Sequence, residues 1–122
     1  MRYFFYTFGD ESVPTPPPTP ELMEEMGKFM AEAVANGSMV ATGGMGPTAM
    51  GAKVRRQGDE YTVTDGPFAE AKELIGGWAL MDLPDHDAAV EIAKRFLAIA
   101  GEGESRFRPV FGPEDADPTL DA

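Results

Sequence analysis

Asp65-Gly66-Pro67-Phe68-Ala69-Glu70-Ala71-Lys72-Glu73-Leu74-Ile75-Gly76-Gly77-Trp78-Ala79-Leu80-Met81-Asp82 is the stretch on which the fold turns. Its first four residues have the composition of a turn, and Ala69 to Glu73 fits a single helical turn. From Leu74 to Asp82 the chain reads as a strand with two apolar faces. Leu74, Trp78 and Leu80 lie on one, and Ile75, Ala79 and Met81 on the other. Gly76-Gly77 within it predicts a bulge or a close backbone approach. A strand that is apolar on both sides has to be covered on both sides, and that requirement sets the architecture.

Upstream, Ala52 to Gln57 and Glu60 to Thr64 flank Gly58-Asp59, a two-residue loop suited to a tight primed turn. Lys53, Arg55, Arg56, Thr62 and Thr64 make this hairpin polar enough to be partly wet. Before it, Ser38 to Gly44 is a short strand running into Gly43-Gly44-Met45-Gly46-Pro47-Thr48. Farther back, Thr19 caps a helix with Pro20 at its first position and Glu21 beside it. Leu22, Met26, Phe29, Met30 and Ala33 recur at helical spacing, and Asn36-Gly37 ends the run. Pro14 to Pro20 is an extended spacer. Arg2 to Phe8 is an aromatic strand, with Tyr3 and Phe5 on one face and Phe4, Tyr6 and Phe8 on the other.

Downstream, Asp85 caps a second helix with the apolar stripe Ala89, Ile92, Ala93, Phe96, Leu97 and Ala100, which Gly101 ends. Glu104 to Phe111 is a last strand, and residues 112–122 are an acidic tail. Without the hairpin the order is strand, helix, strand, strand, helix, strand. That is the α+β split βαβ, or ferredoxin-like, arrangement with an inserted β-hairpin. The expected domain spans residues 1–111. Two helices cover one sheet face. The other face, bearing large apolar groups from the strands at Arg2 and Leu74, calls for a second copy packed sheet to sheet. A homodimer is therefore expected.

The chemistry is bounded mainly by what the composition withholds. A net charge of −11 opposes nucleic-acid binding, which needs a basic footprint. The apolar start is too short for a signal or a membrane span, so a cytoplasmic location without membrane attachment is expected. With no cysteine and one histidine, His86, no disulfide framework or ordinary zinc set exists. Carboxylates Asp82, Asp85 and Asp87 follow no ligand-loop pattern. The loop at Gly43 lacks the lysine of a P-loop. Ser12, Ser38 and Ser105 have no histidine to activate them. No metal or cofactor is expected.

What remains clusters around the opening stretch. Asp65 either caps backbone N–H groups near Phe68 or serves as a general base in a cleft. Glu70 and Lys72 are solvated charges on a short turn, with Lys72 able to hold an anion. Tyr6, Phe68 and Trp78 either line an apolar pocket or anchor the core or a dimer. Arg108 is either an ion-pair partner across the dimer or an anion anchor. The candidate ligand-contacting set is thus Tyr6, Asp65, Gly66, Pro67, Phe68, Trp78 and Arg108, and the candidate catalytic groups are Asp65, then Lys72 and Glu70.

Gly46-Pro47-Thr48 through the hairpin to Gly76-Gly77-Trp78 resembles the YCII-related family, and within it the branch named for the Asp-Gly-Pro-Phe motif. Arg2-Tyr3 with Gly9-Asp10-Glu11, and Arg108-Pro109-Val110, are similar to that branch. The resemblance implies a dimeric α/β barrel. It also implies a small-molecule-binding, accessory or regulatory role, with an extracytoplasmic-function sigma factor as a further possible partner. Fold-level analogy adds an alternative, a lactone isomerase, dehalogenase or monooxygenase using Asp65 as base.

Overall fold

The computed structural model describes residues 1–10, 17–67 and 73–113. In chain order these form β1 (Arg2–Asp10), α1 (Pro20–Ala35), β2 (Met39–Gly44), a 3₁₀ turn (Thr48–Met50), β3 (Ala52–Gln57), β4 (Glu60–Asp65), β5 (Glu73–Asp82), α2 (His86–Ala100) and β6 (Glu104–Pro109). Phe68, Glu70 and Lys72, and the helical turn expected there, lie outside the described residues.

The helix ends follow local chemistry. The Leu22 N–H donates to Thr19 Oγ1 at 3.1 Å, and the Ala88 N–H to Asp85 Oδ1 at 2.8 Å, each cap satisfying an otherwise orphaned donor. At the end of α1, Gly37 has φ +80; its N–H bonds Val34 O and the Ser38 N–H bonds Ala33 O. These are the paired hydrogen bonds of a Schellman ending.

Four strands form one antiparallel sheet in the order β2-β5-β1-β6, and β3 and β4 form a separate two-stranded sheet. The order and directions are those of the split βαβ arrangement, so the α+β expectation holds, with two helices and an antiparallel sheet compatible with a ferredoxin-like fold. Some strand ends differ from expectation. β1 runs on to Asp10 because Gly9 and Asp10 pair with Leu74 and Glu73. β6 stops at Pro109 rather than Phe111; the Val110 N–H still bonds Arg2 O at 3.0 Å, but Phe111 is exposed.

The core lies between the helices and one sheet face. Tyr3, Phe5, Met81 and Leu83 from the sheet side meet Ala33 of α1 and Ala89 of α2, and Phe29 of α1 is buried as well. Phe107 meets Tyr3 edge-on, with ring centroids 5.7 Å apart. The opposite face carries Phe4, Tyr6, Trp78 and Leu80, as the alternation along β1 and β5 required. Among the described residues no helix is long and apolar enough to cross a membrane.

Candidate functional site

Two features stand out, one on each side of the sheet. The first is a partly open cavity of about 100 Å³ between the sheet and the helices. Phe29 and Met30 of α1 and Ile92, Ala93 and Phe96 of α2 form its outer wall, with Phe5, Met39, Ala79 and Met81 beneath. Its lining is almost wholly apolar. Thr7 and Ser105, cross-strand neighbours on the helix-facing side, bring hydroxyl groups to it, and Thr42 lies on its β2 side. No carboxylate, imidazole, ammonium or guanidinium is among the described lining residues.

The sheet is irregular at this spot. Tyr6 pairs with Trp78 and Phe8 with Ile75, so Thr7 alone faces Gly76-Gly77, and β5 bulges. The Gly77 N–H donates to Thr7 Oγ1 at 2.8 Å, and a Cβ on Gly76 would sit 3.0 Å from that oxygen. A side chain at Gly76 would crowd the threonine hydroxyl, which would have to give way slightly. On β2, Thr42 Oγ1 donates to Trp78 O at 2.8 Å. The hydroxyl groups of Thr7 and Thr42 therefore tie the strands together beside the cavity.

The second feature is the aromatic face on the other side. Trp78 stacks on Phe4 with centroids 6.0 Å apart and planes inclined by 22°, and Phe4 lies 6.0 Å from Tyr6. The indole also lies over Gly43, where a Cβ would come within 3.0 Å of the ring. Arginines edge the patch. Arg106 sits 3.5 Å from the Phe8 centroid and Arg108 6.0 Å from that of Tyr6, both within cation–π reach. Arg2 grips Asp82 through two hydrogen bonds of 2.8 and 3.1 Å. The hydrogen bond from Arg2 holds the Asp82 carboxyl below the usual aspartate range. Glu104 similarly raises the Arg106 guanidinium.

The residues singled out from sequence fall in different places. Tyr6 and Trp78 are directly paired and both reach the cavity lining, but their rings lie on the aromatic face. Arg108 joins them on that face. Asp65, Gly66 and Pro67 sit at the base of the β3–β4 hairpin and are not among the cavity-lining residues; the Asp65 side chain is exposed. Gly66 is pinned by its N–H to Gly51 O at 2.9 Å, and a Cβ there would collide with the Thr48 carbonyl. His86 is exposed at the start of α2, its ring 5.3 Å from Phe107. Among the described residues no acidic or histidine cluster could hold a metal. From sequence, Phe29, Met30, Ile92, Ala93 and Phe96 are apolar helix stripes rather than site residues, and Thr7 and Thr42 belong to no candidate site. The available signal was Thr7, a polar residue at a core-facing position in an otherwise aromatic strand.

Fold and site together define a small α+β domain with helices on one sheet face and an aromatic row on the other. The YCII-related domain family matches residues 1–111, and the chain belongs to that family. It is 31% identical over 97 residues to an uncharacterised protein of Rhizobium meliloti (strain 1021), covering 77% of this chain and 78% of the relative. Among solved structures it is similar to the 5-chloro-2-hydroxyhydroquinone dehydrochlorinase of Burkholderia phenoliruptrix AC1100 in complex with 2,5-dihydroxybenzoquinone. That similarity covers 96% of this chain and 100% of the other, with 11% identity and a TM-score of 0.43. At that level neither substrate nor activity transfers.

Proposed function

We propose that this chain acts as a homodimer that binds a small, largely apolar molecule, with an accessory rather than a catalytic role. The cavity beside Thr7 and Ser105 carries the reading. Its apolar walls with a few hydroxyl groups at the sheet have the character of small-molecule sites. Its described lining residues hold no carboxylate, imidazole or amine, and the ring of Tyr6 stands with Phe4 on the aromatic face, which favours binding over turnover. At about 100 Å³ the void is smaller than an engineered cavity of about 150 Å³ that accepts benzene. Met30 and Met39 are flexible walls that can give way. The ligand class is therefore a neutral, ring-sized molecule with one hydroxyl or carbonyl group to meet Thr7 or Ser105.

The aromatic face supports the dimer. Phe4, Tyr6, Trp78 and Leu80 form a continuous row across β1 and β5 on the face opposite the helices, each half-buried within one chain. A second copy packed sheet to sheet removes it from water.

Thermal shift measurements with small neutral phenols and matched charged analogues test the binding site. The neutral compounds are expected to raise Tm. Ala93→Leu, which extends a side chain into the void, is expected to abolish the rise while the protein stays folded, and Asp65→Asn is expected to leave it intact. An Ala93→Leu response equal to that of the wild type removes the cavity reading.

A further inference from the structure

A two-stranded ribbon standing alone is at best marginally stable in water. Among the described residues, β3 and β4 pair with each other and with no other strand. Cross-strand pairing places Ala52, Val54 and Arg56 with Tyr61, Val63 and Asp65 on one side of the ribbon, so its apolar strip is flanked by Asp65 and by Arg56, which lies over the Tyr61 ring. Val54, Tyr61 and Val63 are 65%, 67% and 64% exposed, and Met50, just before β3, is 80% exposed. An apolar strip on an isolated ribbon needs a covering surface.

We infer that the β3–β4 hairpin is an arm that lays this strip on a second copy of the chain, so that each protomer's interface is completed by Tyr61 and Val63 of the other. The inference rests on the homodimer reading above and adds a second contact to it. Reach is the first argument. Strands of six residues span about 20 Å, against about 10 Å between packed sheets, so an arm leaving one sheet can cross the gap and continue along the other protomer.

Charge is the second argument. Lys53, Arg55 and Arg56 lie on β3, which holds no acidic residue. Asp59, Glu60 and Asp65 balance them, so residues 52–65 are neutral and the whole net charge of −11 lies elsewhere in the chain. Outside the hairpin lie seven of the ten Lys and Arg residues and eighteen of the twenty-one Asp and Glu residues, so the cationic strand is attracted to the net-acidic remainder of its twin.

The chain has no cysteine, so single-cysteine variants can be labelled cleanly. Tyr61→Cys and Val63→Cys would each carry a benzophenone maleimide, with Glu24→Cys on exposed α1 as control. Equal amounts of ¹⁵N-labelled and unlabelled protein are mixed, irradiated and mapped by mass spectrometry, with light scattering on the same samples. Products joining a heavy and a light chain are expected from Tyr61→Cys and Val63→Cys. They should exceed those from Glu24→Cys by at least about tenfold at micromolar protein, because docking raises the local concentration towards millimolar. A dimer by light scattering whose links stay within one chain, or match the control, overturns the arm and leaves the dimer standing. A monomer without interchain links overturns both. Links only to a different protein added from cell extract also overturn it.

Discussion

At the scale of single residues, Gly66 marks a place where another group has taken the side-chain space. Gly66 does not have positive φ; it is required because the Thr48 carbonyl packs against its Cα. Gly66→Ala therefore pushes the 3₁₀ turn away and opens the bond from the Gly66 N–H to Gly51 O. Overpacking of this kind costs about 1–3 kcal/mol. Urea unfolding should show that loss, with faster amide exchange at Gly51 and Gly66; a variant as stable and as protected as the wild type would contradict the packing account. The sequence flagged Gly66 as turn chemistry but could not show Thr48, eighteen residues earlier, lying against it. It flagged Gly76-Gly77 as a bulge or a close backbone approach, and in the structure β5 bulges there with the Gly77 N–H bonded to the Thr7 hydroxyl.

Elements are where the sequence was most legible. Thr19, Asn36-Gly37 and Asp85 bounded the helices because capping is local, a matter of one side chain and the next three N–H groups. Asp85→Ala is expected to cost about 1 kcal/mol by unpairing the Ala88 N–H, with a lower urea midpoint and an unchanged m-value. Tyr3/Phe5 against Phe4/Tyr6, and Ala79/Met81 against Trp78/Leu80, fell on opposite faces as alternation dictates. The hairpin was legible as a hairpin, with Gly58 at φ +61 in its turn. Its polar residues pointed to partial wetting, but the side on which Val54, Tyr61 and Val63 stand exposed emerged only from the β3–β4 register.

For the whole molecule the proposal is assembly as a dimer. Light scattering at micromolar concentration is expected to give twice the 13.1 kDa chain mass. Leu80→Lys, placing a charge in the middle of the aromatic face, is expected to give a folded monomer by the same measurement and by circular dichroism. A wild-type monomer would remove the sheet-to-sheet reading. The sequence alone determined the α+β class, the element order, the helix caps and the two-sided apolar strands, because these follow from periodicity and local hydrogen bonding. It also placed Asp65-Gly66-Pro67 in the turn region after the hairpin. Only the tertiary structure decided that the cavity lies with Thr7, Ser105 and the two helices, and that Asp65 is exposed beside the hairpin. A cavity is the space left when distant side chains fail to meet, and no local pattern in the chain records it.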